Sequence, residues 1–196
     1  MWNWLRGIGL LRHPELVRDL GERRFHLQTI DCINRQFPGC KLDRDLRLVG
    51  YASERLKLAE GVTLAAGTVL AFGDDHNGFG NISIGKGTWV GQYNNLRAGG
   101  GDITIGQGCL VSQFCTLVAS NHATARDLPI QQQPPANDRT GVTLENDVWL
   151  GAGVTITPGT VIHTGAIVGA GSVVTKDVPE YEIWAGIPAG KIGARR

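Results

Sequence analysis

The chain has 196 residues, enough for one domain or a domain with an appendage. It is 42% hydrophobic and holds 28 Gly, a glycine load foreign to an ordinary helical protein and natural to a chain that turns every few residues. A formal net charge of +1 gives no electrostatic case for nucleic acid, and no apolar run nears the ~20 residues of a membrane-spanning helix.

Residues 1–12 hold Trp2, Trp4, Leu5, Ile8, Leu10 and Leu11 with Arg6 and Arg12. Trp and Arg suit weak association with a membrane surface. The short length and thin polar face favour a helix packed on the rest of the protein or on a neighbouring subunit. Arg6 interrupts the apolar run and no small-residue cleavage site follows, so no signal peptide is expected and the expected compartment is the cytoplasm. His13-Pro14 reads as a helix start. Apolar residues from Leu16 to Phe37 at three-, four- and seven-residue spacings predict one or two helices to about Gln36, with Gly21 a candidate break.

From about Lys41 the pattern changes. Aliphatic residues recur every six positions, weakly at Leu42 and Leu48, then at Leu58, Leu64 and Leu70, at Ile84, Val90 and Leu96, and at Ile105, Val111 and Leu117. The run is unbroken from Leu144 through Leu150, Ile156, Ile162 and Val168 to Val174. The fifth residue of each late block is small or β-branched: Val148, Val154, Thr160, Ala166, Ser172, Val178. Neither an alternating strand nor an amphipathic helix has this period. Six residues that bury one aliphatic side chain and turn at Gly or Asn make one flat face of a parallel β-helix, and three faces close a coil. About five to six coils are expected, and five coils stand ~24 Å tall at ~4.8 Å per strand. Cys109 and Cys115 fall on the fifth position of consecutive blocks and so read as buried free thiols rather than a metal pair.

The breaks fall after Leu70, Leu96 and Leu117, always after the third face of a coil, so every insertion emerges at one corner and builds one edge. The longest, at 118–143, has no apolar period and contains His122; a loop of that length in a compact repeat is functional or disordered. In the first insertion, Asp74-Asp75-His76-Asn77-Gly78 reads as a polar turn, with metal binding or acceptor contact as the alternatives. After Val178 the tail PEYEIWAGIPAGKIGARR carries Lys191, Arg195 and Arg196 on a Gly- and Pro-rich backbone. The chain therefore divides into a helical segment 1–40, a β-helix 41–178 and an irregular tail 179–196.

The repeat, the loop histidine and the ending VVTKDVPEYEIWAGIPAGKI resemble the hexapeptide-repeat acyltransferases, most specifically over 144–192. The branch is that of sugar and polysaccharide O-acetyltransferases, similar to maltose and galactoside acetyltransferases. The resemblance implies a left-handed coil, a homotrimer with sites between subunits, acetyl-CoA as donor, direct transfer and no metal. His122 falls where the family places its catalytic base. Ala152, Ala170, Thr175 and Lys176 match family positions that contact CoA, and Trp149 matches an aromatic near the donor cleft. Where the family has basic residues after Pro-Ala, this chain has Gly190 and Gly193, which leaves Lys191 as the shifted candidate for a CoA phosphate. On the acceptor side Tyr93, Asn94, Asn95 and Arg97 are polar and near a corner, although Asn also makes tight β-helix turns.

The expected activity is acetyl transfer to a sugar hydroxyl in surface polysaccharide or glycolipid synthesis. A sugar-nucleotide amine or a drug hydroxyl is the alternative acceptor, and a non-catalytic scaffold the alternative class. A metal hydratase on the same fold needs three imidazoles, and the loop around His122 supplies no second one.

Overall fold

The structure, a computed structural model, describes residues 13–196. The Trp-rich segment 1–12 lies outside the described residues. The chain forms two compact units, one ending at Gln36 and one spanning Phe37–Arg196.

The first unit contains helix α1, Pro14–Gln36, of 23 residues. The His13 carbonyl accepts the Val17 N–H at 3.1 Å, which fits Pro14 at the first turn, where a missing N–H costs nothing. Gly21 lies inside this single helix and does not break it. One exposed glycine costs ~1 kcal/mol against Ala, a penalty that the surrounding Leu, Arg and Glu, good helix formers, absorb. No helix among the described residues is long and apolar enough to cross a membrane.

The second unit is a parallel β-helix of about six turns. Sheet I stacks Lys41–Leu42, Thr63–Leu64, Trp89–Val90, Leu110–Val111, Trp149–Leu150 and Ile167–Val168. Sheet II stacks Arg47–Val49, Val69–Ala71, Asn95–Arg97, Thr116–Val118, Thr155–Ile156 and Val173–Val174. Sheet III stacks Leu56–Leu58, Ile82–Ile84, Ile103–Ile105, Val142–Leu144 and Thr160–Ile162. The weak repeat at Leu42 and Leu48 is thus a genuine first turn.

The period explains the core. First-position aliphatics from Leu64 to Val174 are buried, and so are the fifth-position residues. A fifth-position side chain points into the prism beside a backbone carbonyl of the turn. Several polar ones bond there: Thr68 Oγ1 donates to Gly91 O at 2.9 Å, Thr88 Oγ1 to Gly106 O at 2.7 Å, and Ser172 Oγ to Gly169 O at 2.7 Å, whereas the buried Thr160 Oγ1 has no partner among the described residues. The buried free thiols follow the rule, with Cys109 Sγ on Glu145 O at 3.0 Å and Cys115 Sγ on Gly151 O at 3.2 Å. Burial pushes both thiols above their ordinary pKa because a thiolate there would lose its hydration.

The fourth position adopts the left-handed backbone, at φ 70° in Gly153 and Gly165. Tyr93 and Phe114 occupy that place without being glycine, at φ 57° and 62°, with their rings stacked 5.4 Å apart.

All long insertions emerge between sheets II and III, at 50–55, 72–81, 98–102 and 119–141. The tail is more regular than its Gly and Pro content suggests. Glu182–Gly186 extends sheet I in parallel beside Ile167–Val168, and Ala189–Ala194 pairs back on it antiparallel.

Candidate functional site

The loop 119–141 is built, although its sequence has no period. Its ends are closed by the Gly141 N–H on Ala119 O at 2.7 Å. Within it, Ala123 N–H donates to Pro134 O at 3.0 Å and Ala136 N–H to Asn121 O at 2.8 Å. Pro134 and Pro135 cannot donate, so on their side the pairing uses the Pro134 carbonyl as acceptor and the Ala136 N–H as donor. Gln133 is buried at 1% exposure; its Oε1 accepts the Ala125 N–H at 2.7 Å, and its Nε2 donates to Ala125 O and Leu128 O at 2.9 Å each. Arg139 reaches out of the loop to Gly159 O and Thr175 O, both at 3.3 Å. His122 is fixed through its backbone pairing with Pro135, and its exposed imidazole makes no hydrogen bond among the described residues.

Two cavities meet at His122. The first, of about 370 Å³, has a floor from the outer face of sheet II, where Val49, Ala71, Arg97 and Val118 stand in register. Ser120, Asn121, His122 and Pro135 form one wall. The opposite wall is a hairpin pairing Gly73–Asp74 with Gly78–Phe79. The second cavity, of about 770 Å³, lies along the loop between 121–124 and 134–138.

The hairpin is the polar turn expected of Asp74-Asp75-His76-Asn77-Gly78. Asp74 Oδ1 accepts the N–H of Asn77 at 2.7 Å and of His76 at 3.0 Å, and both carboxylate oxygens accept Asn77 Nδ2 at 3.0 Å. The Asn77 bonds, and then those of His76, hold the carboxyl below its usual range. Glycines bring the hairpin onto the floor. A Cβ on Gly73 would lie 2.9 Å from Gly99 Cα, and one on Gly100 2.9 Å from Ser120 Cβ. Gly99-Gly100-Gly101 is therefore the only kind of sequence that lets hairpin and loop close on one groove.

The expected donor residues divide between corners. Ala152 and Ala170 lie at the corner between sheets I and II, where the Gly171 N–H donates to Ala152 O at 2.8 Å. Thr175 and Lys176 lie at the corner between sheets II and III, on the same edge as His122. Trp149 stands half-exposed on the outer face of sheet I, with Nε1 3.4 Å from Ser112 Oγ. Lys191 bonds Glu182 at 2.6 Å, and Arg195 bonds Asp147 at 2.7 Å, so both cations are held within the chain. Lys176 is exposed and has no such partner among the described residues.

The four acceptor candidates also separate. Arg97 lines the His122 cavity. Asn94 is buried in the turn: its Nδ2 donates to Gly91 O at 2.8 Å and its Oδ1 accepts the Cys115 N–H. Tyr93 stacks on Phe114 at the corner between sheets I and II, and Asn95 stands in the sheet II strand with a buried, unbonded Oδ1.

Sequence reasoning did not single out Gln133, Arg139, Val49, Ala71 or Val118. For the floor a signal existed. Each of Val49, Ala71, Arg97 and Val118 is the second residue of a block that ends in an insertion, so each borders the edge that the insertions build. For Gln133 none existed, since one Gln among Gln131, Gln132 and Gln133 is indistinguishable before the loop folds.

Residues 141–176 match the family model for the bacterial transferase hexapeptide (six repeats). Among curated relatives, the galactoside O-acetyltransferase of Escherichia coli (strain K12) is 47% identical over 47 residues, 24% of this chain and 23% of the relative. The putative lipopolysaccharide biosynthesis O-acetyl transferase WbbJ of the same organism is 39% identical over 87 residues, 38% of this chain and 44% of the relative. The chain thus spans less than half the length of these relatives. A mitochondrial gamma carbonic anhydrase 2 of Arabidopsis thaliana is 30% identical over 194 residues, 95% of this chain and 63% of the relative. Among solved structures, the N-acyltransferase AntD of Bacillus cereus, in complex with dTDP and 3-hydroxybutyryl-CoA, superposes with a TM-score of 0.70 at 21% identity, covering 86% of this chain and 88% of AntD. The chain shares with that structure the left-handed β-helix fold.

Proposed function

We propose that this chain is an acetyl-CoA-dependent O-acetyltransferase that acts on a sugar hydroxyl, with His122 as general base. The observation that carries the reading is the placement of an exposed, backbone-fixed imidazole where two cavities meet on the insertion edge. The O-acetyltransferase names of the relatives matching the repeat support the donor. WbbJ's name supports a surface-polysaccharide or glycolipid acceptor. Four free cysteines suit a reducing compartment such as the cytoplasm.

The chemistry needs one group that moves a proton twice. A sugar hydroxyl is a weak nucleophile until its proton leaves. The neutral imidazole of His122 takes that proton as the oxygen attacks the thioester carbonyl, and the imidazolium returns it to the departing thiolate. The C–O bond forms and the C–S bond breaks without an acyl-enzyme. Ala152 and Ala170 leave room for a pantetheine chain at their corner. Lys176, without a partner among the described residues, is better placed to meet a CoA phosphate than Lys191, which bonds Glu182. The two corners belong to different edges of one prism, so a complete site joins the edges of neighbouring copies in a homotrimer. A hydratase reading, which the Arabidopsis relative raises, needs three imidazoles, and the loop around His122 carries no second one.

His122→Ala is expected to lower kcat by ~10²–10⁴-fold, the usual yield of a positioned acid–base group, while acetyl-CoA still raises Tm. Free-thiol release with a panel of sugars and amino sugars measures the first effect. Undiminished turnover in the variant would overturn the base assignment. Acetylation of the amino sugars alone would move the acceptor to an amine.

A further inference from the structure

The geometry of the His122 cavity points to an acceptor that carries an anion, a phosphate or carboxylate on the sugar to be acetylated, held by Arg97. This inference rests on the acetyl-transfer reading above and narrows its substrate class.

Arg97 stands on the cavity floor between Ala71 and Val118 in the register of sheet II. Neither neighbour can pair with a guanidinium, and no hydrogen bond or ion pair of the Arg97 side chain forms among the described residues. Arg97 is exposed to the cavity, unlike Arg139, which caps two carbonyls, Arg195, which pairs with Asp147, and Arg55, which lies 4.4 Å over the Phe79 ring. The one carboxylate on the cavity wall, Asp74, is engaged by Asn77 and His76 and lies beyond ion-pair distance from Arg97.

A cavity of about 370 Å³ with one unpaired guanidinium on an otherwise apolar floor is matched by a small ligand with one planar or tetrahedral anion. His122 opens on the same space, so the anion and the reacting hydroxyl belong to one small molecule or one sugar unit. The phosphates of a CoA thioester lie a whole pantetheine chain from the reacting carbonyl. An anion beside the base is therefore the acceptor's.

Acetylation rates on neutral hexoses, their 1-phosphates and their uronates test this. For a phosphate, a carboxylate or both, kcat/KM is expected to exceed that of the neutral parent at least about tenfold, and less so at high salt. Arg97→Gln should abolish that preference through acceptor KM, and Arg97→Lys should restore part of it. Preference for the phosphate assigns a sugar phosphate or sugar nucleotide; preference for the uronate assigns an acidic sugar unit. Equal use of neutral and charged acceptors, or a KM change for acetyl-CoA instead, would overturn the proposal. Acetylation of nothing in the panel, with no rise in Tm by acetyl-CoA, would sink the transferase reading instead. Calorimetry of sugar phosphate and uronate on the protein without acetyl-CoA then decides Arg97 separately, and anion binding indifferent to Arg97→Gln overturns it.

Discussion

Asn94 and Cys115 are neighbours in the same corner column, and they show how one position of the repeat decides what a side chain does. Both point inward at the fifth place, and Asn94 Oδ1 accepts the Cys115 N–H. Read in the sequence, Asn94 had two meanings, a turn residue or a sugar ligand. Only its partners separate them, because a corner Asn and a binding Asn differ in what their amide meets and not in spacing. Cys109 and Cys115 were legible from period alone, since a fifth-position side chain has nowhere to go but inward. Their reactivity follows. Burial raises both thiol pKa values, so the folded chain holds these protons to higher pH than the unfolded chain does. The associated stability is complete below the ordinary thiol value of ~8.5 and is lost as pH rises beyond it. At pH 8, iodoacetamide is expected to alkylate the exposed Cys32 and to leave Cys109 and Cys115 unmodified until denaturant is added, as mass spectrometry of the peptides will show. Alkylation of Cys109 or Cys115 in the native protein at a rate similar to Cys32 would contradict their burial.

Among the elements, the loop 119–141 depends on the fewest residues. Gln133 makes three hydrogen bonds from a buried amide, and between 120 and 141 no other residue is buried. Gln133→Ala leaves the Ala125 N–H and two carbonyls without their partner, at a cost of about 1 kcal/mol per lost hydrogen bond, since Ala125 and Leu128 are exposed and water can replace the amide. That cost falls on a peripheral loop rather than on the coils, so local opening takes it up. The expected result is faster proteolytic cutting within 119–141 and a fall of at least about tenfold in kcat/KM, with the Tm of the β-helix nearly constant. A comparable loss of Tm would mean that the loop is part of the cooperative core. The sequence located the loop well, because the interrupted period marks where coils pause. It could not show the loop's internal order, which comes from side-chain-to-backbone bonds without a repeat. The tail hairpin escaped for a related reason: Gly and Pro mark irregular backbone in most contexts, and only the open edge of sheet I at Ile167–Val168 makes a strand of Glu182–Gly186.

Over the whole molecule, the prism separates what catalysis must bring together. Ala152 and Ala170 occupy the corner between sheets I and II, while His122 projects from the corner between sheets II and III. A stiff solenoid cannot fold one edge onto another, since each coil is hydrogen-bonded to the next along all three sheets. The shared sites between copies proposed above would resolve this, and they make a specific claim about mixtures. His122→Ala lacks the base and keeps its donor corner. Ala170→Trp keeps the base and fills the donor corner with an indole, on the exposed side where the coil itself need not repack. Each variant alone is expected to be nearly inactive. Chains co-refolded in equal amounts should regain roughly a quarter of wild-type activity, because random pairing places an intact base against an intact donor corner at one interface in about four. Mixing already assembled variants without unfolding should regain little. If base and donor corner serve the same site within one chain, no mixture will recover activity, and the site will have to be drawn along the single edge that carries His122, Thr175 and Lys176.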